Sequence, residues 1–333
     1  MNSQLMDGAR VIVGSWLKLR KNEKLLILFD QKYQDEADAL VECALEAEAF
    51  PTLQGLEEIV ADPSRRATFG DLLMQFDVAV GASDFSLITT RHVIKATRTG
   101  TRFLSLPLVT LNGQSMLTYD FIREDPYQTR AMAECLIPIF EANDTIHVIS
   151  EAGTDIWFRY ANRKTSALYG LADEPGKIAS ASFEIYIPIE EDQTHGRLVL
   201  DGSMGQIGLV NEPVTIEYQQ GHMTEIQDNA EGRRLEAYIN KFNDERMRVT
   251  AEFGLGLNKL SQLVGNCYIE DESAYGTFHI GHGRNLSLGG QQDAAGHFDL
   301  VMRSPTIFVG DVEIMHRGEL LLCHQDWEKD VDK

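Results

Sequence analysis

The hydrophobic period of this chain changes near residue 150, and that change constrains the fold more than any single motif. Before it, short apolar runs alternate with stretches of helical spacing. KLLILFD (24–30), TLQGLE (52–57), FDVAVGAS (76–83), TRFLSLP (101–107) and TIHVIS (145–150) read as strands. Residues 9–19, 35–50, 126–142 and the run SLITTRHVIKATRTG, stopped by Gly100, read as helices. Strands apolar on both faces that alternate with helices predict a parallel sheet with crossover helices. No glycine fingerprint follows the first strand, where Asp30-Gln31-Lys32 stands, so a dinucleotide site is not expected.

After residue 150 the segments alternate apolar and polar residues between turn signals. SFEIYIP (182–188), GRLVLDG (196–202), GQIGLV (205–210), PVTIEYQQG (213–221) and HMTEIQ (222–227) are such segments, with a hairpin expected at Gln220-Gly221. One helix, about 229–242, interrupts them. The expected class is therefore α/β: an N-terminal parallel α/β sandwich domain over 1–150, then a β-rich α+β metal-binding domain over 151–333.

With 333 residues there is length for two domains. The formal charge of −21 argues against nucleic acid or an anionic membrane surface as partner, since both select basic patches. Cys43, Cys135, Cys267 and Cys323 are widely spaced and form no CxxC, so reduced thiols in a cytoplasmic protein are expected. The N-terminus lacks the layout of a signal peptide, and no apolar run approaches the roughly 20 residues of a membrane span.

The chemistry concentrates in the last third. Glu252, His279, His297 and Asp299 stand among glycines in AEFGLGLN (251–258), YGTFHIGHGRN (275–285) and AAGHFDL (294–300). Carboxylates with imidazoles suit Zn, Co, Mn or Fe(II). His297 and Asp299 are two apart, so in a strand they share a face and can address one ion. Taken singly, each has a plainer reading: a core histidine, a turn-capping acid or, for Glu184, a solvated strand position.

These stretches carry a family resemblance. Glu184 to Gly196, AEFGLGLN, DESAYGTFHIGHG (271–283) and Gly289-Gly290 through GHFD to SPTIFVG (304–310) resemble the leucyl aminopeptidases of the aminopeptidase T and aminopeptidase S type. The resemblance implies that Glu184, Glu252, His279, His297 and Asp299 bind a pair of divalent metals, and that the chain forms a homodimer. The family's Tyr shortly after the third ligand has no counterpart around Asn285-Leu286. A second resemblance, through LYGLADEPGK (168–177), GRLVLDG and YINKFNDE (238–245), is to 2,5-dihydroxypyridine dioxygenase. That enzyme holds a single Fe(II) with two His and one Asp. It has a His where this chain has Glu252, apolar residues in place of Glu184 and His279, and a His where this chain has Thr89.

The primary expectation is thus a metal-dependent hydrolase. Two ions (Zn, Co or Mn) would activate water against an amide of a small-molecule or short-peptide substrate. His282 and Arg284 are then the nearest donors to the developing oxyanion, and Glu190 or Glu191 a candidate base. Trp157, Phe158, Tyr160 and Tyr169 are candidates for an aromatic pocket, with a core role as the plainer reading. The alternative is an Fe(II)-dependent ring-cleaving dioxygenase acting on a hydroxylated N-heteroaromatic.

Overall fold

The computed structural model of the chain describes residues 2–88 and 90–322. The class is α/β, with one parallel sheet and two large antiparallel sheets. The parallel sheet runs Phe50–Gly55, Lys24–Phe29, Val78–Ser83, Arg102–Pro107, Ile178–Ser180 across its width. Its central strands are buried on both faces, as their continuous apolar runs require. Leu26, Leu28, Ala79 and Phe103 pack there against Leu56, Ile59, Phe69, Leu73 and Val93. The helix expected over 86–100 is shorter, Arg91–Thr97, because Thr90 stops it on the N-terminal side: its hydroxyl accepts from Val93 N. The first helix begins earlier than expected, at Ser3, and passes into a π-helical turn over Ile12–Trp16.

The chain packs as two compact units built from interleaved segments. One holds the chain up to Pro126 together with Leu168–Ser182, and the other holds Tyr127–Ala167 and the chain from Phe183 onward. The excursion of 168–182 has a clear anchor in the first unit. Buried Arg102 donates to the carbonyls of Leu17 and Ala172 and pairs with Glu23, while Ala172 N donates to Trp16 O at 2.9 Å. The TIHVIS run, grouped above with the parallel strands, is antiparallel in the second unit. There Thr145–Ile149 lies between Asp155–Arg159 and Thr306–Val309.

Among the described residues the second unit carries an eight-stranded and a seven-stranded sheet. The hairpin expected at Gln220-Gly221 forms, with φ of 48° and 77° at the two turn residues, the signs of a type I′ turn. The seven-stranded sheet places Phe183–Pro188, Thr250–Gly256, Thr277–Gly283 and His297–Arg303 side by side. Phe253 is at the centre of this unit's core, with ring centroids of Phe140, Phe158 and Phe278 at 5.7–6.3 Å. Cys43 and Cys267 are buried and free. Cys323 lies outside the described residues. Among the described residues no helix is long and apolar enough to cross a membrane.

Phe253→Ala removes the ring on which three others rest. A loss of about 3–5 kcal/mol is expected in the unfolding transition of the second unit. A denaturant titration that shows under about 1 kcal/mol would place the core elsewhere.

Candidate metal centre

Cross-strand register decides which side chains meet. Residues paired across an antiparallel sheet point to the same face. Glu184 pairs with Gly256, and Tyr186 with Gly254, which in turn pairs with His279. Glu252 pairs with Gly281, which pairs with Asp299, and Gly283 pairs with His297. Glu184, Glu252, His279, His297 and Asp299 therefore share one face. Ile185, Ile187, Phe253, Leu255, Phe278, Ile280, Leu300 and Met302 alternate with them and fill the core behind it.

The glycines make room for this arrangement. A Cβ built on Gly254 would overlap the His279 ring, and one on Gly281 would lie 2.7 Å from His297 Cε1 and 2.8 Å from Glu252 Cβ. Into that space the imidazoles lie across the strands. His279 Nε2 is 3.1 Å from Glu184 Oε2. His297 Nε2 is 3.2 Å from both Glu252 Oε2 and Asp299 Oδ1, and its Nδ1 donates to Arg284 O at 2.8 Å. Donor atoms fall into two trios, Glu184–Glu252–His279 and Glu252–His297–Asp299, each within 4.8 Å and sharing Glu252. His297 has the most solvent access of the five, its side chain 30% exposed.

Charge governs the site. Burial pushes the Glu184 carboxyl up, against the opposing effect of His279. Desolvation works against a charged His279, but Glu184 outweighs it and holds the imidazole at about 9. Desolvation likewise opposes a charge on His297, but Asp299 and Glu252 hold it well above its ordinary value. Asp299 is held low against its own burial, chiefly by His297. His279 Nδ1 is buried without a hydrogen bond, at a cost of about 1–3 kcal/mol unless something satisfies it. Carboxylates and imidazoles converging beside a buried, unpartnered imidazole nitrogen fit a divalent cation, which would supply the positive charge now carried by protons.

Two expected residues are not brought to this face. His282 is three residues from His279, an odd step that turns it to the core side. There its Nε2 meets Tyr218 OH at 2.9 Å, its ring stacks on Phe298, and burial lowers it to about 3. The Arg284 guanidinium is exposed beside Asp293 at 3.3 Å, and only its carbonyl serves the centre, through His297. Glu191 is occupied by Arg163, Asn285 Nδ2 and Gln291 N, and Glu190 sits 3.9 Å from Arg159. Phe158 and Tyr160 are core residues, Trp157 stacks on His147 at 3.9 Å, and Tyr169 is half-buried at an edge strand. Thr89 lies outside the described residues. Tyr186 was missed: two residues after Glu184 on the same face, it has its phenol pushed up to about 12 by burial and then by Glu252. The i, i+2 spacing from Glu184 was the available signal.

Two outcomes follow. A cation must displace the proton on His279, so divalent-metal affinity should rise as pH is raised towards about 9 and proton release should accompany binding. Calorimetry in buffers of different ionisation enthalpy reads this directly, and binding without proton release would contradict it. Gly254→Ala forces the His279 ring aside, with an overpacking cost of about 1–3 kcal/mol and loss of metal affinity. Unchanged affinity in that variant would show that His279 takes no part in holding metal.

Comparison with known proteins bears on the chemistry. The 2,5-dihydroxypyridine 5,6-dioxygenase of Pseudomonas putida is 28% identical over 239 residues, a match that spans 67% of this chain and 65% of that protein, just under two thirds of its length. The solved structure of 2,5-dihydroxypyridine dioxygenase from Pseudomonas putida KT2440 superposes with a TM-score of 0.82 over 97% of this chain and 99% of that one, at 20% identity. AmpT from Thermus thermophilus superposes at 0.64 over 96% and 99%, at 13% identity. Both superpositions show a shared fold, and the aminopeptidase is the more distant. The expectation of an aminopeptidase-like metallohydrolase is overturned by a family model that matches residues 64–322. By that match the chain belongs to the NicX family, described as 2,5-dihydroxypyridine 5,6-dioxygenase.

Proposed function

We propose that this chain is an Fe(II)-dependent ring-cleaving dioxygenase acting on a hydroxylated N-heteroaromatic of the dihydroxypyridine kind. The observation that carries the reading is the convergence of Glu252, His297 and Asp299 on one sheet face, in a chain whose family is that of a dihydroxypyridine dioxygenase. In the overall reaction a ring bond beside a hydroxyl-bearing carbon breaks. Both atoms of O₂ enter the opened ring, which itself supplies the electrons.

Glu252, His297 and Asp299 would hold the iron, with Arg284 O fixing the ring of His297 through Nδ1. Bound there, Fe(II) would supply the one-electron steps by which O₂ reacts with a closed-shell ring, and three protein donors leave positions for ring and gas. The Glu184–Glu252–His279 trio is a second divalent position in this reading, so metal content is the quantity to count. Tyr186 stays protonated at neutral pH and offers a hydrogen-bond donor on the same face. The apolar residues behind the sheet exclude water from that side of the centre.

Protein prepared anaerobically and loaded with Fe(II) should consume one O₂ per ring opened when given 2,5-dihydroxypyridine, and a chelator should stop it. Glu252→Ala and His297→Ala should abolish turnover with the fold intact by circular dichroism. Full turnover in either variant would refute the site assignment. Iron-loaded protein that takes up no oxygen with any hydroxypyridine would remove the reaction class.

A further inference from the structure

We infer that Asn285 is a positioning residue that ties together the backbones on which Glu252 and His297 depend; this rests on the metal reading above. Asn285 is fully buried and lies in the turn after the His279 strand, where sequence alone shows only the lack of a phenol. Its Nδ2 donates to Ala251 O at 3.1 Å and to Glu191 Oε1 at 2.9 Å, and its Oδ1 accepts from Gln292 N at 2.8 Å. Ala251 immediately precedes Glu252. Arg284 immediately precedes Asn285, and Arg284 O receives the Nδ1 proton of His297. One carboxamide thus joins the backbone before one metal-ligand candidate to the loop that orients another.

The loop is clamped from outside as well. Glu191 Oε1 also accepts from Gln291 N at 2.8 Å. Glu191 Oε2 pairs with Arg163 at 2.8 Å, and the same guanidinium donates to Gly289 O at 2.9 Å. Arg163 is nearly buried, its side chain 9% exposed, so this pair is shielded from solvent on the arginine's side. The chain Arg163–Glu191–Asn285 fixes where Arg284 O stands. That carbonyl places the proton of His297 on Nδ1 and leaves Nε2 facing Glu252 and Asp299. Neither Asn285 nor Glu191 touches the reacting atoms in this account. Their effect reaches the centre through His297 and Glu252.

The test uses Co(II) alone as the probe, with affinity and the visible d–d spectrum as readouts on the full chain. Asn285→Asp keeps size and shape but puts an acceptor where Ala251 O and Glu191 need a donor. Co(II) binding weaker by about 10–100-fold, with a changed d–d spectrum, is expected. The same direction is expected for Glu191→Ala, which cuts the chain at a partly exposed position. A folded Asn285→Asp variant that binds Co(II) within about two-fold of the parent, with the same spectrum, would overturn the proposal, since losing a group that orients a metal ligand costs more than that. If that variant does not fold, Glu191→Ala decides, and unchanged affinity and spectrum there overturn it equally. A parent chain that binds no Co(II) would bring down the metal reading and this proposal together. Normal binding by the parent with indifferent variants brings down this one alone.

Discussion

Three carboxylates set on one sheet face cannot stay close without positive charge, and much of the second unit follows from that requirement. Glu184, Glu252 and Asp299 are all buried, and each costs desolvation energy as an anion. The two imidazoles meet the need from within the sheet, His279 against Glu184 and His297 between Glu252 and Asp299. They can do so only because Gly254 and Gly281 carry no side chain. With any larger residue at either position the rings would be displaced and the carboxylates left facing each other. Charge balance, strand register and glycine placement are thus one constraint seen at three scales.

The same constraint explains what could be read from the sequence. His297 and Asp299 share a face because they are two apart, and pairing between strands extends that parity to Glu252, His279 and Glu184. Parity also excludes His282, which is three residues from His279. A count along HIGH would have sent it to the core, where it bonds to Tyr218. Arg284 is a different case: its carbonyl meets His297 while its guanidinium lies exposed beside Asp293, and a backbone contact is not displayed in a sequence. The role of Asn285 is hidden for a related reason, since its partners are the Ala251 carbonyl, the Gln292 amide and the Glu191 carboxylate, contacts that only the folded chain brings together.

For the fold, the parallel strands of the first unit were legible as continuous apolar runs, and the hairpin as Gln-Gly between alternating segments. The division of the chain was harder to see. Thr145–Ile149 is apolar enough to read as a parallel strand, yet it pairs with residues 155–159 and 306–309. Residues 168–182 belong with the first unit through Arg102 and Trp16, contacts between groups seventy or more positions apart. Local period reports how a segment is buried, not which sheet receives it.

Ligand set and family point in different directions here, and the physical reason is that they measure different things. A family match over residues 64–322 reflects the whole framework, including strands, turns and packing behind the sheet. The five donors reflect only which cation the face will hold. Replacing an imidazole by Glu252 adds negative charge to the centre, and Glu184 adds more. Both strengthen retention of a divalent ion and favour its oxidised state by electrostatics alone. Under the proposed iron reading, such a centre needs compensating positive charge. His279, 3.1 Å from Glu184, supplies that charge until a cation takes the place of its proton. On this argument the Glu184–His279 pair sets the charge around the trio that would hold a divalent metal.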